Sequence, residues 1–576
     1  MASGSLIDRT LNFDGTATPL KIVLFLLICL AWLLPGLTGH TPWKYDEAVS
    51  QGIIHGMLNG GSWLSPTLAG EPYLAHPPLY YWLAAILVRL SFHLVPPHDA
   101  ARLASGLFMA GTFTGIALAA RHLYGPRTLR LAILIFIGSV GLVIRAHEMS
   151  TDLSWLMGVS WVVAALPMGR TQTVRGGLMG GIGFGVAFLS QGTLAFPLLL
   201  PLLILAPALI HEFRPPQTGR FTLFWAMGAI PFLVIWPILL ALDHPATYAL
   251  WKPLLFGPFL HPETWLATDA SPLYYLAVSS WFAWPAAPLA LGVLWTGGKR
   301  TWEKPQTRFL LLMLGLWLIV LGLCTSPREG NALPLLLPFT LLATGGLDGL
   351  RRGATSALDW FGMLTFGLLT TLLWLGWIAQ ITGWPVGIVR YLDAQLPDFH
   401  THFQALPFAF SLFLTLLWAF TIFHSHPSPR RALINWSVGM TVSWMLVMSL
   451  WLPYVEASRS YEGVMLSLGR ALPRAHGCVM STGLGEPQRG LLDDALDLQT
   501  ERRELDPHVH CSLWLVQSNG QNAFLVPPGW HLRWSAERPG DRNERFLLLT
   551  RSARLGIHHF LPPFKPGVGR PCRALC

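Results

Sequence analysis

Charge is what this sequence has least of. Only 12% of its 576 residues are Asp, Glu, Lys or Arg, while 52% are hydrophobic. An average soluble domain is about 25% charged, so a soluble enzyme of ordinary make is excluded. Cysteine is sparse too: there are six, and none forms a CxxC pair, which leaves no zinc-site spacing. Cys29 and Cys324 fall in apolar runs, where a thiol packs as a small hydrophobe. The other four, Cys478, Cys511, Cys572 and Cys576, lie towards the C-terminus, where a Cys478–Cys511 disulfide is open if that region faces an oxidising compartment. No strong internal repeat is present, which gives no support to an inverted-repeat transporter. No small-residue cleavage pattern follows the first apolar run, so residues 20–38 are expected to remain as a span. The net charge of +9 is not a nucleic-acid signal, because the basic residues sit in short clusters between apolar runs rather than on one face.

Apolar runs of membrane-spanning length are what the first 450 or so residues do have. About 20 mainly apolar residues are needed per crossing. That rule places thirteen spans, near 20–38, 100–120, 131–146, 152–168, 177–190, 193–210, 221–242, 272–296, 308–324, 332–348, 360–383, 406–423 and 432–453. The stretch 77–92 opens with two prolines, contains Arg89 and is short, and it reads as a helix lying at the interface. With that assignment, one set of loops holds 17 basic and 6 acidic residues, and the opposite set, without the tail, holds 7 basic and 12 acidic. The positive-inside rule then puts the N-terminus in the cytoplasm and, after an odd number of spans, the tail outside. Residues 1–454 are therefore expected to form an all-α polytopic membrane domain with a first outward loop at 39–99. The more polar residues 455–576, with short apolar stretches such as CSLWLV and RFLLLT between turns, are expected to form a small extracytoplasmic α/β domain.

Carboxylates stand out on the outward side. Asp46 and Glu47 follow the first span, and RAHEMSTD places Glu148 and Asp152 beside Arg145 at the next outward loop. Ionisable groups at span ends that face a cavity are functional candidates. The rings of Trp63, Tyr73, Tyr80, Tyr81 and Trp82 gather in the first loop, where they suit either a sugar or prenyl groove or plain interfacial anchoring. His40, His55 and His76 share that loop without a metal-ligand spacing.

The order DEA, GEPY, PPLYYWL, RAHEMSTD, GVAFLSQG and SPREGNALPLLLP resembles the GT-C membrane glycosyltransferases, most of all the bacterial branch of lipid A aminoarabinose transferases and protein mannosyltransferase relatives. The resemblance covers roughly residues 20–345. It implies transfer of a sugar from a polyprenyl phosphate to a lipid A, other glycan, lipid or protein acceptor, with inversion, at the periplasmic face of the bacterial inner membrane. It also implies a catalytic base at Asp46, with Glu47 as a less certain contributor and Asp152 positioning the acceptor. Arg145, His76, Tyr80, Tyr81, Glu148, Gln191 and Arg328 are then the expected substrate-binding residues. No resident metal is expected on firm ground, although the chemistry leaves room for a divalent ion bridging Asp46 or Asp152 to the carrier phosphate. The chain departs from the branch at charged positions: AHPPLYYW stands for EKPPLYYW, SQGT for TKGP, and SPREGN for SKR with a following tyrosine, so His76, Gln191 and Pro327 occupy positions that are usually cationic.

Two rival readings follow from other premises. A flippase for a lipid-linked sugar needs ionisable or broken-helix signals near the bilayer midplane, whereas the charged candidates here lie at one outer face. A non-catalytic relative acting through its tail would tolerate loss of both aspartates. Asp46→Asn is expected to abolish sugar transfer, followed by radiolabelled sugar reaching an acceptor, while membrane insertion measured by fractionation stays normal.

Overall fold

A computed structural model describes residues 19–551 apart from 44, 93, 350–351, 398, 425–428, 475–476 and 520–523. Cys572 and Cys576 lie outside the described residues, as do Arg9, Lys44 and Arg351, three of the basic residues in the loop totals above. Most of the rest is helix, and a small sheet forms near the C-terminus. Among the described residues, eight helical stretches are long and apolar enough to cross a membrane, or up to ten when two bent pairs each count once. All thirteen expected segments contain helix, but not all are single straight rods. Leu129–Ile137 meets Val140–His147 at 71°, and Tyr274–Phe282 meets Ala286–Trp302 at 96°. The segment expected at 332–348 begins as a tight 3-10 turn, Glu329–Leu335, and continues as only nine residues of α-helix.

The stretch Thr173–Leu209 is two helices broken at Gly192, whose φ of +62° suits glycine. The Phe196 ring lies 5.2 Å from that of Phe184. Twelve residues of straight helix would hold them about 18 Å apart. Small residues set the packing here, as membrane interiors favour: a Cβ on Gly158 would meet the Gly183 carbonyl and the Ala187 amide of the facing helix.

Helix Leu79–Leu90 has 12 residues, about 18 Å of length, well short of a roughly 30 Å hydrocarbon layer. Its Tyr80, Tyr81, Ala84 and Ala85 face inward. The sheet near the C-terminus has five strands in the order Glu501–Arg502, Val479–Thr482, Leu513–Asn519, Asp541–Arg551, Trp530–Arg538. The first three are parallel and the last two add antiparallel. Cys478 and Cys511 are joined in a disulfide at the start of this sheet. The sheet, with helices Glu462–Ala471 and Glu486–Leu496, buries Val464, Leu468, Leu492, Leu513, Leu515 and Leu548, and Ala48 of the first loop joins that cluster.

Helix Glu486–Leu496 docks directly on helix Asp46–Leu58. A Cβ on Gly52 would stand 2.6 Å from the Gly490 Cα, and one on Gly490 would stand 2.9 Å from the Ala48 carbonyl oxygen. Polar ties flank this close contact: Gln51 donates to Asp494 at 2.8 Å, His55 lies 3.3 Å from Asp494, and Glu71 takes Arg489 at 2.8 Å and Arg502 at 3.0 Å.

A second tie is fully internal. Arg102, 0% exposed, donates to Glu47 at 2.8 Å, to Asp99 at 3.0 Å and to the His40 carbonyl at 3.1 Å. The Trp43 and Met149 amides complete Glu47, and the Gly39 amide donates to Asp99. Every charge in the group is hydrogen-bonded, the condition under which buried ions are tolerated. Removing one partner strands the other. Glu47→Ala is therefore expected to cost about 3–5 kcal/mol of folding stability, read as a lower thermal unfolding midpoint of the purified protein, with the Glu47→Ala, Arg102→Met pair closer to wild type than either single change.

Candidate active site

Asp46 opens helix Asp46–Leu58, where the N-terminal end of the dipole favours an anion. Asp152 opens helix Thr151–Gly169, whose cap Ser150 accepts from the Asp152 amide. Arg328, from the turn after helix Pro305–Cys324, brings the two together: its Nη2 lies 2.6 Å from Asp46 Oδ2 and 3.2 Å from Asp152 Oδ2. Gln191, at the end of helix Thr173–Gln191, donates to the other Asp152 oxygen at 2.7 Å. Arg145 stands 3.7 Å from Asp46 and binds Glu148 at 3.1 Å and Glu329 at 3.2 Å.

The electrostatics follow from burial. Burial and then the Asp152 charge push the Asp46 carboxyl above the usual carboxylate range, against the pull of Arg328 and Arg145. Burial lifts Glu148 to about 7, with Arg145 opposing. For Arg328, the Asp152 charge, first of all, raises an already high value, so it stays cationic. Burial lowers His76 to about 4, so this imidazole is neutral at ordinary pH. Gln191 hydrogen-bonds it, and its Nδ1 is shut off from water with no partner among the described residues.

Two cavities meet here. A small one of about 170 Å3 is lined by Asp46, His76, Tyr81, Arg328 and, from the C-terminal sheet region, Glu486. A larger one of about 710 Å3 lies between the helical body and that region, with Arg145, Glu148 and Glu329 on one wall and Arg459, Arg538 and Asp541 on the other.

Seven of the ten residues singled out from the sequence thus gather at one place: Asp46, Asp152, Arg145, Glu148, His76, Gln191 and Arg328. Tyr81 lines the small cavity. Tyr80 and Glu47 do not join it. On a helix, adjacent side chains point about 100° apart, so Tyr80 turns into the body, where its hydroxyl bonds Ser105 at 2.7 Å. Glu47 turns likewise into the Arg102 cluster, with both oxygens occupied. Sequence reading missed Tyr45, Glu486, Arg459 and Arg538. Tyr45 was findable as the neighbour of Asp46, whereas the other three sit in a region without a motif.

The space between the two aspartates already holds the Arg328 guanidinium, and no group of three or more His, Cys, Asp or Glu side chains among the described residues is placed to hold a metal.

No family model matches the chain. It is 28% identical over 444 residues, 74% of each chain, to an undecaprenyl phosphate-alpha-4-amino-4-deoxy-L-arabinose arabinosyl transferase of Pseudomonas paraeruginosa. Its identity to a second transferase of that name, from Pseudomonas fluorescens, is 29% over 354 residues, 59% of this chain and 58% of that one. The fold matches the crystal structure of ArnT from Cupriavidus metallidurans bound to undecaprenyl phosphate, with a TM-score of 0.65 and 16% identity over 92% of this chain and 98% of that one. The chain resembles the aminoarabinose transferases in sequence and in fold and is a membrane glycosyltransferase. It is accordingly a multi-pass membrane protein.

The glycosyltransferase has a pH signature in Glu148. Its folded value, about 7, lies above the ordinary 4.5, so the folded state holds a proton that the unfolded chain releases. This contribution is full below about pH 4.5 and is lost as pH rises through 7. Glu148→Gln is expected to flatten the fall in unfolding midpoint between pH 5 and pH 8 relative to wild type, measured by thermal unfolding across that range.

Proposed function

We propose that this transferase moves a sugar from a polyprenyl phosphate to an acceptor oxygen on the periplasmic side of the bacterial inner membrane, with inversion at the anomeric carbon. The observation that carries this reading is the Asp46 carboxylate, held by Arg328 on the wall of the small cavity. The acceptor O–H gives its proton to Asp46 as its oxygen attacks the anomeric carbon. The bond from that carbon to the phosphate oxygen breaks, and the polyprenyl phosphate leaves with the electron pair. Arg328 is the cation nearest this charge, and His76 and Gln191 offer neutral donors where the branch usually carries lysines. Asp152 holds Arg328 and Gln191 in register.

The N-terminus is proposed to be cytoplasmic and residues 455–576 periplasmic, on the grounds of the 17-to-6 basic excess in one set of loops and the Cys478–Cys511 bond, which suits an oxidising compartment. The domain division at 454/455 belongs to the same proposal. The donor is proposed to be of the undecaprenyl phosphate–aminoarabinose class named for the relatives, and the acceptor to be lipid A or another envelope glycan, lipid or protein. Mass spectrometry of lipid A, polysaccharide and secreted proteins from cells with and without the gene tests this reading: a lost sugar modification names the acceptor, and an unchanged profile with lipid-linked sugar trapped in the inner leaflet sinks it in favour of a flippase. Arg328→Met is expected to lower the transfer rate about 10²–10³-fold, and a chelator is expected to leave wild-type transfer unchanged, both read in a purified transfer assay.

A further inference from the structure

Among the described residues, Tyr45 is the one side chain that lines both cavities. Its ring stands between the small chamber with Asp46, His76 and Arg328 and the large chamber with Arg145, Arg459 and Arg538. It is 52% exposed, so packing alone does not hold it. Its hydroxyl donates to Glu486 Oε2 at 2.8 Å. Glu486 is the first residue of the helix that docks through Gly490 onto Gly52 and Ala48, six and two residues beyond Asp46. No basic side chain forms an ion pair with Glu486 among the described residues, so its carboxylate is free to take the phenol as its donor. The partition between the chambers is therefore a ring from the first outward loop fastened by a carboxylate from the far end of the chain.

We propose that Tyr45, held by Glu486, is the gate between the two chambers and decides how often the donor sugar goes to the acceptor rather than to water. The inference rests on the transferase reading above. In the competing reaction, a water oxygen attacks the anomeric carbon, its proton passes to Asp46, the bond to the phosphate oxygen breaks, and free sugar and polyprenyl phosphate result. A closed ring keeps the solvent of the 710 Å3 chamber from the sugar, and an acceptor that enters and displaces the ring brings its own oxygen to Asp46. Exclusion of water until the second substrate arrives is a general reason for such a closure. Tyr45 and Glu486 act here as positioning residues, since neither exchanges a proton with the reacting atoms.

The test uses the full chain in lipid nanodiscs with undecaprenyl phosphate-linked 4-amino-4-deoxy-L-arabinose as donor. Free sugar release is measured without acceptor, and transfer is measured with lipid A. Tyr45→Ala is expected to raise release at least tenfold and to lower transfer, with an unchanged unfolding midpoint. Tyr45→Phe and Glu486→Ala cut the same hydrogen bond from opposite ends, so each is expected to raise release by a similar, smaller factor, and the double variant no further. Wild-type release in Tyr45→Ala, or additive effects of the two milder changes, overturns the gate while leaving the transferase reading intact. Asp46→Asn is expected to suppress release and transfer alike; a wild-type protein that neither releases nor transfers this sugar overturns the transferase reading and the gate with it.

Discussion

Two adjacent carboxylates, Asp46 and Glu47, divide the labour on which everything else depends. Both stand in the first turn of one helix, and the rotation per residue sends them in different directions. Glu47 enters a dry interior and is fixed by Arg102 and two backbone amides. That fixation anchors the start of the first outward loop to helix Pro97–Tyr124 and to the backbone just before Asp152. Asp46 consequently has no freedom to choose its place. It is presented to Arg328 and Asp152 by a neighbour that does no chemistry.

The site itself is built around one guanidinium. Arg328 touches both aspartates, so two anions that would otherwise repel at close range are held together by one cation. The same cation is the nearest charge available to a phosphate. Neutral His76 and Gln191 complete the surroundings, and the positive charge of the small chamber is concentrated in Arg328 alone among its lining residues. In the proposed mechanism, such concentration makes one side chain responsible both for the resting state of the base and for receiving the leaving group.

Much of this arrangement was legible in the sequence because it lies in short, ordered motifs. The gap between the spans expected at 177–190 and 193–210 coincides with the helix break at Gly192. Charged residues in an otherwise uncharged chain are conspicuous, and so Asp46, Asp152 and Arg145 stand out from their scarcity, whereas Arg328 enters only through the resemblance. What periodicity could not supply was direction. Tyr80 and Tyr81 look equivalent in PPLYYW, yet one bonds Ser105 in the core and the other faces the cavity. The bends at 71° and 96° were likewise hidden, since an apolar run has the same composition whether straight or folded. Glu486 was out of reach because its function depends on a contact across 441 residues, and nothing local distinguishes it from any other helix-initiating glutamate.

The docking of helix Glu486–Leu496 on helix Asp46–Leu58 also has a consequence in time. Synthesis delivers the first helix early and its partner only after hundreds of intervening residues have been threaded into the bilayer. Until then Gly52 and Ala48 have nothing to rest against, and Tyr45 has no carboxylate to hold it. A nascent or truncated chain can therefore carry every catalytic side chain and still lack a finished chamber. The chamber is finished only when helix Glu486–Leu496 has docked, so under the proposed gate a half-made protein in the membrane would lose donor sugar to water.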